Sequence, residues 1–345
     1  SGSIKTGWIM KHSRGERLKD LMSLVRLPNL LVVALTMMLM RYAVIRPLLG
    51  AMEVTIAGNP LVSTVMAFRL GWTDFLILVI STCLITAAGY VINDYFDIRA
   101  DLINRGTIIV GNTITRRMAM LYHNVFNVLG VIGGTYVSAR IGYIWLGIFF
   151  ILISGLLYFY SATYKRQFLI GNIIVALLVA MVPMMVVIYD AAPVYVYYSQ
   201  AAIDFPGVAI LFWWVGGFAL FAFLTTLVRE IIKDMEDCEG DRETGRKTLP
   251  VISGLTTCRS VVVVLLAATM TILYMVWFKH LHDTVTLVYI SLLLVVPMIV
   301  VIIRVLSSRE KKHLHSASLL MKFIMLAGIL YSLVAGAIIS SGKIL

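Results

Sequence analysis

The sequence predicts an all-α polytopic membrane protein with nine transmembrane helices. Of its 345 residues, 60% are hydrophobic and only 14% are charged, and its mean hydropathy is +0.92. Soluble domains carry about 25% charged residues, so this composition excludes a soluble class. A membrane span needs about 20 apolar residues. Nine stretches of the chain meet that requirement: 27–49, 73–92, 117–138, 141–163, 170–189, 207–228, 258–279, 283–306 and 317–340.

The basic residues between these stretches are distributed unevenly across the predicted membrane. With a cytoplasmic N-terminus, 23 Lys and Arg fall on the cytoplasmic side and four on the outer side. Cytoplasmic loops carry an excess of Lys and Arg. We therefore expect a cytoplasmic N-terminal segment, residues 1–26, followed by a single transmembrane domain, residues 27–345. The host membrane is expected to be the plasma membrane of a bacterium or an archaeon.

The net charge of +11 comes mainly from basic residues that flank apolar spans. This position favours anionic lipid or a diphosphate as the partner, and we expect no nucleic acid. The three cysteines have neither a CxxC nor a Cys/His spacing, so they predict neither a disulfide scaffold nor a zinc site.

Two arginines and two longer outer loops complete the predicted topology. Arg41 and Arg46 fall in the outer half of the first span, where we expect their side chains to extend to the interface. The loops are predicted at 50–72 and 190–206, and the second, which contains Asp190, is expected to be an interfacial loop or a short amphipathic element.

An acidic motif stands at the end of the second predicted span. Asn93, Asp97 and Asp101 are spaced i, i+4, i+8, which places them on one face of a continuous helix. Asp94 lies about 100° around that helix from Asn93 and is expected to support the others. Carboxylates at a helix C-terminus oppose the helix dipole, so a cation is expected to offset them.

A second acidic motif follows the sixth predicted span. Glu230, Asp234, Asp237 and Asp241 step by four, three and four residues, which again predicts one helical stripe, and Gly240 is expected to end the helix. The two motif windows hold nine of the 18 Asp and Glu residues in the chain.

These two motifs fall on the same predicted membrane face. Acidic groups near hydrocarbon are costly and usually mark a functional site. Two facing clusters predict divalent cations held between them, and such cations predict a phosphate-bearing substrate. Downstream, Gly245 is expected to form a turn, and Arg246 and Lys247 offer cations to a phosphate.

The motifs resemble those of the UbiA superfamily of intramembrane prenyltransferases. That family's N-D-x-x-D-x-x-x-D is matched by Asn93, Asp94, Asp97 and Asp101. Its D-x-x-D-x-x-G-D and the following G-x-K-T-L-P are matched by Asp234, Asp237, Gly240 and Asp241, and by Gly245, Lys247, Thr248, Leu249 and Pro250. Further matches are Arg26 and Asn29, Tyr160-Ser161, Lys165-Arg166 and Gly171-Asn172.

One segment departs from the family pattern. Where the family often has N-R-P-x-R-P, this chain has Asn104-Arg105-Gly106-Thr107-Ile108-Ile109, without both prolines and the second arginine. Arg116 or Arg117 could replace the missing cation, or both could simply flank the membrane.

The resemblance implies nine helices around a central cavity that opens laterally to the bilayer. It implies Mg²⁺-dependent transfer of an isoprenyl group, with geranylgeranyl expected, from an allylic diphosphate to a lipophilic acceptor, with release of pyrophosphate. Arg229-Glu230 before Lys233-Asp234 is most similar to the geranylgeranylglycerol-phosphate geranylgeranyltransferase branch, which makes digeranylgeranylglyceryl phosphate. The expected acceptor is therefore geranylgeranylglyceryl phosphate.

The resemblance also assigns roles to individual residues. The expected catalytic residues are Asp97, Asp101, Asp237, Asp241 and Tyr160. The expected Mg²⁺ ligands are Asn93, Asp94, Asp97, Asp101, Asp234, Asp237 and Asp241. The expected substrate-binding residues are Arg26, Asn29, Arg99, Asn104, Arg105, Ser161, Lys165, Arg229, Lys233 and Lys247.

Alternatives remain open on the sequence alone. The ring of Tyr160 could face an allylic carbocation, or it could belong to an interfacial belt with Tyr158 and Tyr164. The same fold could prenylate an aromatic quinone precursor or haem. An ion-coupled transporter would also carry acids within its membrane region, although at mid-membrane rather than at one edge.

Overall fold

The structure is a computed structural model that describes residues 14–57, 63–105, 108–308 and 311–342; for residues 14–17, 104 and 105 it describes the backbone only. The side chains of Asn104 and Arg105 therefore lie outside the described part of the chain. The same holds for residues 1–13 of the predicted N-terminal segment.

Long helices make up most of the described chain, and the expectation of an all-α membrane protein is confirmed. In chain order they are α1 Arg14–Leu24, α2 Leu27–Gly50, α3 Trp72–Phe96, α4 Ile98–Arg105, α5 Arg116–Arg140, α6 Ile144–Ala162, α7 Ile170–Ala201, α8 Ala209–Glu236, α9 Cys238–Glu243, α10 Leu249–Leu281, α11 Thr284–Leu306 and α12 Lys311–Ser340. A short antiparallel pair, β1 Glu53–Thr55 and β2 Ser63–Val65, connects α2 to α3.

Eight helices in the described residues are long and apolar enough to cross a membrane: α2, α3, α6, α7, α8, α10, α11 and α12. The remaining predicted span, 117–138, lies within the 25-residue helix α5, which packs along α3 and α6. This helix is less apolar than the others, because it carries Arg116, Arg117 and Arg140 at its ends and His123 and Asn127 between them. The count of nine spans therefore stays a prediction.

Glycines allow three of these helices to approach one another closely. A Cβ atom on Gly130 of α5 would lie 2.6 Å from Ile85 Cγ1 of α3. A Cβ on Gly134, one turn further along α5, would meet the ring of Phe150 in α6. Small residues at such positions let membrane helices pack backbone against backbone. This packing fixes α3, which carries the first acidic motif, against α5 and α6.

Arg41 lies inside the bundle, and the expectation that it extends to the interface was wrong. Its side chain is 2% exposed and lies 3.5 Å from Asp190 Oδ1. One of its nitrogens donates to the Leu70 carbonyl at 2.6 Å, and its guanidinium lies over the rings of Phe75 and Phe68 at 4.2 and 4.4 Å. The carboxylate, the carbonyl and the aromatic faces stabilise the charge of Arg41 inside the protein, so the side chain does not have to reach the membrane interface.

Asp190 reaches Arg41 because α7 is longer than the predicted span. The expectation of a loop from residue 190 was wrong, since α7 continues to Ala201 with Pro183 and Pro193 inside it. Neighbouring groups can satisfy the backbone that a proline leaves unpaired in a membrane helix, so proline does not end the helix there.

Candidate active site

The first acidic motif spans a junction between two helices. α3 ends at Phe96, and Asp97, with φ −92° and ψ 2°, separates it from α4. The expectation of one continuous helix was therefore wrong. Backbone hydrogen bonds nevertheless cross the junction, from Asp97 N to Asn93 O at 3.0 Å and from Asp101 N to Asp97 O at 2.8 Å. The i, i+4, i+8 relation among these side chains is preserved.

The second acidic motif repeats this local geometry. α8 ends at Glu236, and Asp237 has φ −91° and ψ 3° before α9 begins. Its N–H donates to Lys233 O at 2.9 Å, and the N–H of Asp241 donates to Asp237 O at 3.0 Å. Gly240 is buried inside α9, so the expectation that it ends a helix was wrong. The helix breaks at Asp237, one residue before α9 begins, and not at Gly240.

The two motifs converge on one cavity. α4 and α9, the short helices that follow the junctions, contact each other. Six carboxylates and three cations from widely separated segments line the cavity. The lining comprises Asp97, Asp101, Glu230, Asp234, Asp237, Asp241, Lys165, Lys233 and Arg246, together with Ala100, Tyr160, Gly171 and Asn172.

Asp97 is paired with cations through both of its carboxylate oxygens. Its two oxygens contact Lys165 Nζ and a terminal nitrogen of Arg246. Lys165 Nζ also donates to Asn93 Oδ1 at 2.9 Å, and the other terminal nitrogen of Arg246 lies 3.5 Å from Asp241 Oδ1. Arg246 therefore links the first acidic motif to the second.

These contacts separate the protonation behaviour of two aspartates. Burial alone would raise the pKa of Asp97, but the charges of Lys165 and Arg246 outweigh burial and hold it below its ordinary value of 3.8. For Asp241, burial raises the pKa and Arg246 only partly opposes it, so the pKa stays above its ordinary value. The cations thus stabilise the ionised form of Asp97.

Two turns hold the cations in place. Lys165 lies in the 3₁₀ turn Tyr164–Arg166 between α6 and α7, and a Cβ on Gly171 would approach Lys165 Cα to 2.9 Å. Gly245 has φ 73°, a left-handed conformation that glycine adopts readily, as expected for a turn. The segment after it is fixed by Lys247 N donating to Arg166 O at 2.9 Å. Only glycine permits the close approach at residue 171.

Arg26 and Asn29 attach the start of α2 to α3 rather than line the cavity. Arg26 donates to Asp94 Oδ1 at 3.0 Å, and its guanidinium lies 4.8 Å from the centre of the Tyr90 ring. Asn29 Nδ2 donates to the Tyr90 hydroxyl at 3.3 Å. Asp94 is therefore engaged by Arg26 beside the cavity, while Asp97 and Asp101 of the same motif line it.

The remaining predicted residues fall into two groups. Tyr160 and Lys233 line the cavity, together with five of the seven predicted metal ligands. Ser161 donates to the Leu157 carbonyl of its own helix at 3.0 Å, whereas Arg99 and Lys247 are exposed outside the cavity lining. Arg229 contacts Glu230 Oε1 at 2.6 Å, also outside the lining.

Three lining residues with polar side chains were absent from the expected catalytic, metal-binding and substrate-binding sets. Arg246 precedes the lysine of the G-x-K-T-L-P match, Asn172 belongs to the Gly-Asn match, and Glu230 belongs to the acidic stripe, so each had a sequence signal. Asn172 Nδ2 donates to Asp234 Oδ2 at 2.8 Å. Arg116, considered above as a replacement cation, lies 4.8 Å from the Tyr95 ring centre, and Arg246 lines the cavity.

The donor chemistry of this cavity fits Mg²⁺. Within the described residues, no three acidic, histidine or cysteine side chains already stand close enough together to hold a metal. Mg²⁺ is commonly bound through one or two carboxylates together with substrate phosphates. Two aspartate motifs facing each other beside three cations match that mode of binding, in which the phosphate ligand completes the site.

The fold and this site define a class: an integral membrane protein whose two aspartate motifs face each other across a cavity that also holds basic side chains. The UbiA prenyltransferase family model matches residues 54–333, and the chain belongs to this family. The resemblance stated from the motifs is thereby confirmed.

Among relatives, the chain is similar to a digeranylgeranylglyceryl phosphate synthase from Methanothermobacter thermautotrophicus. The two are 34% identical over 193 residues, which is 55% of this chain and 60% of that protein. The chain thus matches about three fifths of the length of this relative.

Two solved structures share the fold. A structure of digeranylgeranylglyceryl phosphate synthase matches with a TM-score of 0.59 and 21% identity, covering 92% of this chain and 99% of that one. A UbiA homologue from Archaeoglobus fulgidus bound to GPP and Mg²⁺ matches with a TM-score of 0.50 and 16% identity, covering 91% and 99%.

Proposed function

We propose that this protein catalyses Mg²⁺-dependent transfer of a geranylgeranyl group from its allylic diphosphate to geranylgeranylglyceryl phosphate, with release of pyrophosphate. The observation that carries this proposal is the convergence of both aspartate motifs and three cations on one cavity. The name of the Methanothermobacter relative supports the acceptor. The ligands in the Archaeoglobus homologue support an allylic diphosphate and Mg²⁺.

The carboxylates of the two motifs are proposed to hold Mg²⁺, which would neutralise the charge of the diphosphate. The proposed ligands are Asp97, Asp101, Asp234, Asp237 and Asp241, with Asn93 beside them. Asp94 supports this set through its contact with Arg26 rather than from inside the cavity. With both motifs engaged, the diphosphate would lie between α4 and α9.

The basic residues of the cavity are proposed to stabilise the leaving group. Lys165, Lys233 and Arg246 line the same space as the carboxylates. Preorganised cations aimed at developing negative charge favour breakage of the C–O bond. The contacts of Lys165 and Arg246 with Asp97 indicate that both side chains hold these positions by ion pairing. A bound diphosphate would then share the cations of Lys165 and Arg246 with Asp97.

Tyr160 is proposed to face the allylic carbocation. Its side chain lines the cavity, which favours this role over the interfacial belt. A cation over an aromatic face gains about 2 kcal/mol or more when the site is desolvated. The C–O bond of the donor would break with its electron pair passing to pyrophosphate, the hydroxyl oxygen of the acceptor would attack the allylic carbon, and the hydroxyl proton would pass to an oxygen of the released pyrophosphate.

The protein is an integral membrane protein, and we propose that its N-terminus and the cavity face the cytoplasm. The excess of Lys and Arg on that side supports the orientation. Residues 27–345 are proposed to form a single transmembrane prenyltransferase domain, preceded by the segment 1–26.

A panel of acceptors tests this function directly. The purified protein is incubated with labelled geranylgeranyl or farnesyl diphosphate, Mg²⁺ and one acceptor, and products are read by mass. We expect digeranylgeranylglyceryl phosphate and pyrophosphate, and we expect both to disappear with a chelator. Transfer only to an aromatic acceptor would overturn the assigned acceptor. Transfer that persists in a chelator would overturn the role of the metal.

A further inference from the structure

Asn172 contacts an aspartate of the second acidic motif from the first turn of α7. The residue is only 7% exposed, and its Nδ2 donates to Asp234 Oδ2 at 2.8 Å. An ionised carboxylate can only accept hydrogen bonds, so the nitrogen of the amide is the atom that must face it. Both residues line the cavity, and their contact joins α7 to α8 there.

Asp234 is held by a neutral group, whereas Asp97 and Asp241 each pair with a cation. In the part of the chain that the structure describes, Asp234 makes no ion pair within 4.0 Å. The charge of Lys233, the preceding residue, reaches Asp234 from further away and is opposed there by Glu230 and Asp241. A metal ion could therefore bind Asp234 without first breaking an ion pair.

The backbone at Asn172 is fixed by the turn that precedes α7. A Cβ atom on Gly171 would lie 2.9 Å from Lys165 Cα, which shows how closely the start of the helix packs on that turn. The turn is held in addition by Lys247 N, which donates to Arg166 O at 2.9 Å. The amide of Asn172 therefore reaches Asp234 from a defined backbone position.

The same segment also contacts the first acidic motif. Lys165 contacts Asp97 at one end of the segment, and Asn172 contacts Asp234 at the other. One short stretch of chain between α6 and α7 thus touches one aspartate of each motif. The charged contact neutralises its aspartate, whereas the neutral contact leaves the charge of Asp234 available to a metal.

We propose that Asn172 is a positioning residue for the metal site, whose amide orients Asp234 as a ligand without cancelling its charge. This inference rests on the proposed function, in which the two motifs hold Mg²⁺. Hydrogen-bond partners of ligating side chains fix their orientation, and the loss of one such partner typically lowers metal affinity by about 10–100-fold. A lysine in place of Asn172 would compete with the metal for the same carboxylate.

Binding of Mn²⁺ to the purified protein tests the inference without turnover. Mn²⁺ is paramagnetic, so titrations in the presence of inorganic pyrophosphate are read by electron paramagnetic resonance, below the unfolding temperature of each variant. We expect Asn172→Ala to bind Mn²⁺ about tenfold more weakly than the wild type. The matched control is Asn127→Ala, with wild-type affinity expected, because Asn127 accepts from Ser154 at 2.7 Å between α5 and α6, outside the cavity lining.

The variant Asp234→Ala shows whether Asn172 acts through this aspartate. In that background we expect Asn172→Ala to change Mn²⁺ affinity by less than about twofold, because the contact is already absent. An undiminished effect would mean that Asn172 contacts the metal or the pyrophosphate directly, and it would overturn the positioning role. Wild-type affinity in the single variant Asn172→Ala would overturn it as well, and both results leave the proposed function standing. A wild-type protein that binds no Mn²⁺ with pyrophosphate would instead overturn the metal site of the proposed function, and the inference with it.

Discussion

Asp97 is the side chain through which the two acidic motifs meet. It belongs to the first motif, yet it contacts Arg246, which follows the second motif and reaches Asp241. Lys165, from a third segment, contacts its other oxygen. A single carboxylate therefore organises cations from two distant parts of the chain.

Removal of one aspartate from either motif tests the proposed metal site. We expect Asp97→Ala and Asp237→Ala each to lower turnover by about a hundredfold or more, since each deletes a group proposed to offset the diphosphate charge. Prenyl transfer is measured at saturating donor on protein that elutes as a single species. Asp94→Asn is the control, and we expect a milder loss, because Asp94 pairs with Arg26 outside the cavity. Near-normal turnover in both alanine variants would contradict the site.

Substitutions at Tyr160 can separate the effect of the aromatic ring on activity from the effect of the hydroxyl. If the ring face stabilises a carbocation, Tyr160→Phe should keep more activity than Tyr160→Leu, because only leucine removes the aromatic face. The comparison uses kcat rather than KM, since the cation forms after binding. Equal activity in both variants would assign Tyr160 to packing alone.

At the scale of helices, close approach depends on particular glycines. A Cβ on Gly336 of α12 would meet the backbone carbonyl of Ala43 in α2, which cannot move aside as a side chain can. We expect Gly336→Ala to lower the free energy of unfolding by about 1–3 kcal/mol. Gly155→Ala in α6 is the matched control, because nothing lies within 4 Å of its added methyl group. Thermal unfolding in detergent compares the two, and equal losses would contradict the packing argument.

The sequence predicted the helices well because apolar length alone marks a membrane span. It did not reveal the junctions at Asp97 and Asp237, since hydrogen bonds across each junction preserve the four-residue spacing that predicted a continuous helix. The residue at which α7 ends could not be predicted either, because apolar and aromatic residues continue past Asp190. The contact between Arg246 and Asp97 was hidden for another reason: it joins residues 149 positions apart.

At the scale of the whole molecule, a buried ion pair ties the first span to α7. Arg41 and Asp190 are 2% and 0% exposed in their side chains, and they are 3.5 Å apart. We expect Asp190→Leu to destabilise the protein by about 3 kcal/mol or more, because it leaves Arg41 buried without its partner. The double variant Arg41→Met with Asp190→Leu should recover most of that loss, as read by thermal unfolding. A double variant that sums the two single losses would show that the pair is not coupled.

The length of α3 separates the β1–β2 pair from the aspartate junction. Its 25 residues extend for about 38 Å, which is enough to cross a hydrocarbon core of about 30 Å. The pair β1–β2 precedes this helix and the aspartate junction follows it, so the two lie at opposite membrane faces. The start of α12 lies at the face of the second motif, because His315 contacts Glu236. A cytoplasmic cavity thus requires the β1–β2 pair to face outward.

Single cysteines at the two faces test this orientation. In a variant with Cys83, Cys238 and Cys258 replaced by alanine, we expect Thr64→Cys in exposed β2 to react with a membrane-impermeant maleimide in intact cells. Lys312→Cys at the start of α12 should react only after the membrane is permeabilised. The reverse pattern would place the cavity outside, where the Lys and Arg distribution would oppose the positive-inside rule. Because both positions are exposed, a difference in labelling reports membrane sidedness rather than burial.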